Sequence, residues 1–183
     1  TIWRAYPIAE TPRVMGTRPD GGQSLGPSGG AIWSAPTIDP RRGLIYAGIG
    51  NTYSGATQPA TDAVASFDLK NGALRWAQQV TPDDVYGCRS GEPNCGDRQG
   101  PDFDFGVSPA LARLPNGKEI LVAGQKSGVA FGFDPDAGGR IVWQYRAGNG
   151  GSLGGIEWGI ATDEEHAYLP VADQNHPRPG GLH

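Results

Sequence analysis

Two carboxylates stand two residues apart in Gly100-Pro-Asp102-Phe-Asp104-Phe-Gly106, just ahead of an apolar run. In an extended segment, alternation puts both side chains on one face. That is an arrangement from which a general base can take a hydroxyl proton; read as a turn, the same segment holds two surface carboxylates. Lys126, in Gln125-Lys126-Ser-Gly128, leads into a further strand. It is either a solvated turn residue, the usual fate of lysine, or a fixed cation for negative charge that develops in a reaction. Asn51 ends Gly48-Ile-Gly50-Asn51. Its amide oxygen is a hard, neutral donor for a cation, or simply a turn residue after Gly. Trp33 and Trp158 open strands and offer flat indole faces for stacking. Cys88 and Cys95 lie in a polar, turn-rich segment without a nearby His. That suits a disulfide better than a zinc site; a disulfide implies an oxidising compartment, and two free thiols would imply a reducing cytosol. His166, His176 and His183 show no metal spacing.

Composition restricts the elements that could position these groups. Of 183 residues, 30 are Gly and 16 are Pro. Each costs a helix interior roughly 1 and 3 kcal/mol, which excludes a helical bundle. Five Trp, six Tyr and five Phe supply core bulk. The net charge of −4 argues against a nucleic-acid or anionic-membrane surface. No apolar run reaches the ~20 residues of a membrane helix. The chain opens on Thr1-Ile-Trp3, which reads as a strand end without a leader, so it is expected to be a piece of a longer protein. Gly16 to Gly30 is Gly-rich but precedes a strand rather than a helix. It is expected to be a loop covering the functional face, not a phosphate cradle.

The chain repeats itself. Val64-Ala-Ser-Phe-Asp68-Leu-Lys-Asn-Gly72-Ala-Leu-Arg-Trp76 matches Val129-Ala-Phe-Gly-Phe-Asp134-Pro-Asp-Ala-Gly138-Gly-Arg-Ile-Val-Trp143. Each has an apolar strand, a turn with Asp and Gly, and a strand closed by Trp. Trp3 closes a third such unit. Between these hairpins lie others of one plan: Ala31 to Gly48, Phe105 to Gly124, and Ile156 to Ala172. Two hairpins per repeat make four antiparallel strands, the content of a β-propeller blade. The expected fold is all-β, one partial propeller domain over residues 1–183, with about two full blades and flanking partial ones. Trp3, Trp76 and Trp143 are expected to pack between neighbouring blades. A β-sandwich would not require the recurrent Asp…Gly…Trp hairpin.

These hairpins, with Gly30-Ala-Ile-Trp33-Ser-Ala-Pro-Thr-Ile-Asp39-Pro, Gly48-Ile-Gly50-Asn51, Gly100 to Pro109 and Ala123-Gly-Gln-Lys126-Ser-Gly128, resemble the quinoprotein alcohol dehydrogenases. Within that family the likeness is greatest to polyvinyl-alcohol-dehydrogenase-like proteins. The family consists of eight-bladed propellers that hold pyrroloquinoline quinone (PQQ) and calcium. The resemblance implies oxidation of an alcohol, secondary alcohols and polyvinyl alcohol included, by hydride transfer to PQQ. It implies Trp33 as the floor under PQQ, Asn51 as a calcium ligand and Lys126 as the cation beside the quinone oxygens. The family's Trp-Asp-Phe/Tyr-Asp segment carries its base, and Asp102 matches the first Asp. Pro101 replaces the Trp, so Asp104 is the other candidate, or else a metal-binding or orienting neighbour. Trp158 would line the pocket, although Glu157 stands where the family often has Asn. A cytochrome c or similar acceptor and a periplasmic or secreted location follow from the same resemblance. The opposing class is a non-enzymatic propeller scaffold or binding module. It would need the docking tryptophans but not Asn51, Asp102, Asp104 and Lys126 together. The two readings part on whether those residues converge.

Overall fold

The computed structural model describes residues 1–54, 58–87 and 100–173. Cys88, Cys95, His176 and His183 therefore lie outside the described residues, and with them the expected disulfide. Residues 1–12 form no strand, contrary to the reading of Thr1 to Trp3 as a strand end, because no neighbouring strand completes a ladder there. The Gly-rich stretch expected as a loop is instead a hairpin. Strand β1 (Arg13–Thr17) pairs antiparallel with β2 (Gln23–Gly26), and β3 (Ser28–Gly29) follows.

The first complete blade comprises β4 (Thr37–Asp39), β5 (Leu44–Ile49), β7 (Ala63–Asp68) and β8 (Leu74–Gln79), hydrogen-bonded in that order. Strand β6 (Thr52–Ser54) leaves the blade to pair with β3. The second blade comprises β9 (Ala110–Arg113), β10 (Glu119–Gly124), β11 (Val129–Asp134) and β12 (Arg140–Arg146), again in sequence order. Two short pairs follow: β13 (Gly155–Ile156) with β16 (Val171–Ala172), and β14 (Ala161–Thr162) with β15 (Ala167–Tyr168). Two full blades with partial neighbours thus match the repeat. The match extends to register, since the final hairpin of each blade carries a β-bulge at the same place, before Phe67 and before Phe133.

The turns are built by their side chains. Asp68 accepts from the amides of Lys70 and Asn71, and Gly72 then turns at φ 74°. Asp134 accepts from the Asp136 amide, and Gly138 and Gly139 turn at φ 64° and 74°. These turns receive the tryptophans. A Cβ on Gly72 would lie 2.5 Å from the Trp3 ring, and one on Gly139 would lie 2.5 Å from the Trp76 ring. Trp3 also donates its indole N–H to the Leu69 carbonyl at 3.1 Å. So Trp3 docks on the first blade, and Trp76 of the first docks on the second. Trp143 lies over Gly132 as Trp76 lies opposite Ser66, and it packs with Ile160 and Ala167 of the following partial blade against Ala112, Ile120 and Val122.

Between the blades, Tyr46, Val64, Phe105, Val107, Leu121, Phe131, Phe133 and Ile156 form one buried core. Burying each large member contributes roughly 1.5–3 kcal/mol. At the opposite corner of the interface, the guanidinium of Arg42 in the β4–β5 turn pairs with Asp39, with Glu119 of the next blade, and with both oxygens of Asp136.

Candidate functional site

In an antiparallel hairpin the start of the first strand and the end of the second share an edge. Trp33 precedes β4, Asn51 follows β5, Asp102 and Asp104 precede β9, Lys126 follows β10, and Trp158 precedes β14. The repeat therefore delivers all six residues to corresponding edges of successive blades. Cross-blade hydrogen bonds draw those edges together. Ser34 donates to the Val107 carbonyl at 2.9 Å, Phe105 to Ile49 at 3.4 Å, and the Ile156 amide to Gln125 at 3.1 Å.

The Lys126 ammonium stands at the centre. It donates to Asp104 Oδ2 at 2.7 Å and to Asp102 Oδ2 at 3.0 Å, and lies 5.5 Å from the centroid of a Trp33 ring. The other oxygen of Asp104 accepts the Asn51 amide at 2.7 Å. Asn51 donates its side-chain N–H groups to the carbonyls of Thr52 and Tyr86. This fixes the amide orientation, and among the described residues Oδ1 has no hydrogen-bond partner. Trp33 lies over Gly106, where any Cβ would strike its ring. Trp158 meets Trp33 edge to face at 5.1 Å. It is 75% exposed and holds a left-handed backbone at φ 70°. A bulky residue persists in that region only where its surroundings impose it.

The cluster is short of positive charge. Burial raises the Asp102 carboxyl above the usual carboxylate range; the hydrogen bond from Lys126 opposes this and the charge of Asp104 reinforces it. Burial alone would lower Lys126, but its hydrogen bonds to Asp104 and Asp102 outweigh that and hold it above its ordinary value. Glu157 is raised by burial, which the attraction of Lys126 only partly offsets. Chemically, the site offers a carboxylate whose Oδ1 has no described partner (Asp102), a buried cation, a hard amide oxygen with no described partner (Asn51) and an indole face.

Two contributors escaped the sequence reading. Asp84, 1% exposed, accepts the amides of Asp102 and Phe103 and so shapes the turn that carries the carboxylate pair. Asp62, fully buried, has no hydrogen-bond partner for either carboxylate oxygen among the described residues. Burial, with the charge of Asp84 next, raises its carboxyl to about 9. Neither sits in a distinctive motif; only the Gly50 carbonyl accepting the Asp62 amide betrays the latter's position. A cavity of about 760 Å³ lies elsewhere, between residues 5–12 and 27–32, and includes none of the cluster. Among the described residues no group of three His, Cys, Asp or Glu is arranged to hold a metal. Among them, too, no helix is long and apolar enough to cross a membrane.

The sequence profile of the PQQ family, described as the glucose/ethanol/alcohol dehydrogenase β-propeller domain, matches residues 1–146. A polyvinylalcohol dehydrogenase of Pseudomonas sp. is 42% identical over 174 residues, 94% of this chain and 27% of that protein. One of Sphingopyxis sp. strain 113P3 is 40% identical over 177 residues, again 94% of this chain and 27% of its own length. The chain thus spans about a quarter of these curated relatives. The quinohemoprotein alcohol dehydrogenase of Comamonas testosteroni superposes with a TM-score of 0.48 at 19% identity, over 64% of this chain and 17% of that one.

Proposed function

Because the chain belongs to the PQQ β-propeller family of glucose, ethanol and alcohol dehydrogenases, we propose that it carries the quinone- and calcium-facing residues of an alcohol dehydrogenase. Its substrates in this reading are secondary alcohols, with polyvinyl alcohol the polymeric case. The carrying observation is the convergence of Lys126, Asp102, Asp104, Asn51 and Trp33 within one hydrogen-bonded cluster. A scaffold would have no use for that assembly.

The residues fit both absent groups. The Oδ1 of Asn51, without a partner among the described residues, is the hard oxygen donor these residues would offer to calcium. Lys126 would hold an anionic, planar ligand, with Trp33 beneath and Trp158 at the edge. PQQ, when bound, supplies the acceptor for the hydride that leaves the alcohol carbon. Asp102 takes the hydroxyl proton, since one of its oxygens is bound by Lys126 and the other has no described partner. The fixed ammonium of Lys126 stabilises negative charge on the ligand it faces. Electrons then pass to a cytochrome c or comparable acceptor in the periplasm or outside the cell, where a Cys88–Cys95 disulfide would persist.

The test uses the protein with any flanking sequence its gene supplies. PQQ and calcium are titrated while tryptophan fluorescence and alcohol-dependent dye reduction are followed. Saturable quenching with turnover, lost in Lys126→Ala and Asp102→Asn, is expected. Absence of PQQ binding in the folded wild-type protein would sink the reading.

A further inference from the structure

Asp104 spans two parts of the cluster that no other side chain among the described residues joins. Its Oδ1 accepts the Asn51 amide at 2.7 Å and its Oδ2 accepts Lys126 Nζ at 2.7 Å. Its own carbonyl accepts the Lys126 amide at 3.0 Å. The carboxylate is 7% exposed. The contact with Asn51 depends on Gly50, because a Cβ there would stand 2.6 Å from Asp104 Oδ1. Both oxygens are committed to donors of fixed position, whereas Asp102 commits one. A carboxylate in this state is poorly placed to accept a substrate proton or to enter a cation's coordination shell, since either would break a short, charge-assisted bond.

We propose that Asp104 is a positioning residue, a two-ended strut that holds the Asn51 strand end against the Lys126 ammonium and leaves Asp102 as the base. This rests on the function proposed above and assigns a distinct task within it. The strut sets the separation between the cation-binding oxygen and the quinone-facing ammonium. Asp104 acts on the reaction only through Asn51, Lys126 and the field it exerts on Asp102.

Two variants test this in the protein with its native flanks, each first shown to fold by circular dichroism. Asp104→Asn keeps an acceptor for the Asn51 amide but removes the charge facing Lys126. Its plateau turnover is expected to stay within about tenfold of wild type. The acidic limb of its pH–rate profile moves to lower pH, because Asp102 loses a neighbouring negative charge. Gly50→Ala keeps the charge but displaces it from Asn51. It is expected to weaken calcium binding, read by tryptophan fluorescence without quinone, by about three- to tenfold and to leave the acidic limb in place. A 100-fold or greater turnover loss in Asp104→Asn, with calcium binding intact, would make Asp104 the base instead. Calcium binding abolished in Asp104→Asn would make it a metal ligand. An acidic limb that does not move, or Gly50→Ala indistinguishable from wild type, would overturn the strut. If wild type binds neither calcium nor PQQ, the function proposed above fails, and the failure is visible before any variant is measured.

Discussion

The Asp102 amide donates to Asp84 Oδ1 at 3.2 Å, and the adjoining Phe103 amide donates to Asp84 Oδ2 at 2.8 Å. One buried carboxylate thereby anchors two successive amides while Asp102 is held at φ 62°, a left-handed conformation. The carboxyl of Asp102 then has one direction to face, toward Lys126. Backbone strain of this kind costs about 1–3 kcal/mol and persists only where the surroundings fix it.

With Asp102 as the base of the proposed reaction, the pH dependence of turnover follows from its carboxyl. Burial holds its carboxyl above the ordinary range, so the ionised, proton-accepting form appears only as pH climbs past that range. The expected kcat/KM for alcohol rises with unit slope on the acid side and then levels. Asp102→Asn is expected to remove that limb and cost about 10²- to 10⁴-fold in rate. A wild-type profile flat from pH 4 to 8 would contradict this.

Asp62 makes a stability prediction. Its folded carboxyl is raised by burial to about 9 from 3.8. The folded state therefore holds a proton that the unfolded state releases above pH 4, so stability falls as pH rises from about 4 to 9. Asp62→Asn removes this penalty and tolerates the left-handed φ of 48° at this position. Urea unfolding is expected to show the variant on the order of 1–4 kcal/mol more stable at pH 8, with the advantage fading toward pH 4. An advantage independent of pH would contradict the buried-acid account.

Gly139 receives Trp76 and turns at φ 74°. Gly139→Ala meets the indole and a disfavoured conformation at once. Its expected cost is about 1–3 kcal/mol, seen as a lower urea midpoint with an unchanged slope. Ala at Gly43, also left-handed but with no atom within 4 Å of the added Cβ, is expected to cost less.

Arg42 joins two blades through carboxylates that include Asp39, 2% exposed. Burial alone would raise Asp39, but the hydrogen bonds from Arg42 outweigh it and hold the carboxyl below its usual range. Asp39 thus contributes stability above its ordinary value that is lost on acidification. Arg42→Ala leaves Asp39 without its cation, held only by the Tyr46 hydroxyl and the residue-42 amide, and is expected to cost about 1–3 kcal/mol at pH 7, and less at pH 3. Equal costs at the two pH values would contradict this.

The docking turns were legible because Asp68…Gly72…Trp76 and Asp134…Gly138…Trp143 state their geometry locally. Asn51, Asp102, Asp104 and Lys126 were legible as types at strand ends, but their meeting was not. It depends on how one blade edge lies against the next, which no local window records. Asp84 illustrates the limit: beside the equally acidic Asp83, nothing marks it as the buried one. The hairpin of β1 and β2 was misread because Gly, Pro and Ser mimic loop chemistry. Pairing of β1 with β2, and of the adjoining β3 with β6, overrides that preference.

Each docked pair joins unlike surfaces, an indole presented by one blade and a glycine turn presented by the next. The joint is heterologous, head to tail, so successive blades share a single sense of rotation. Exchanging one blade for another of the same polarity would preserve every such joint. Inverting a single blade would destroy the joints on both its sides, so the order of blades is freer to change than their polarity.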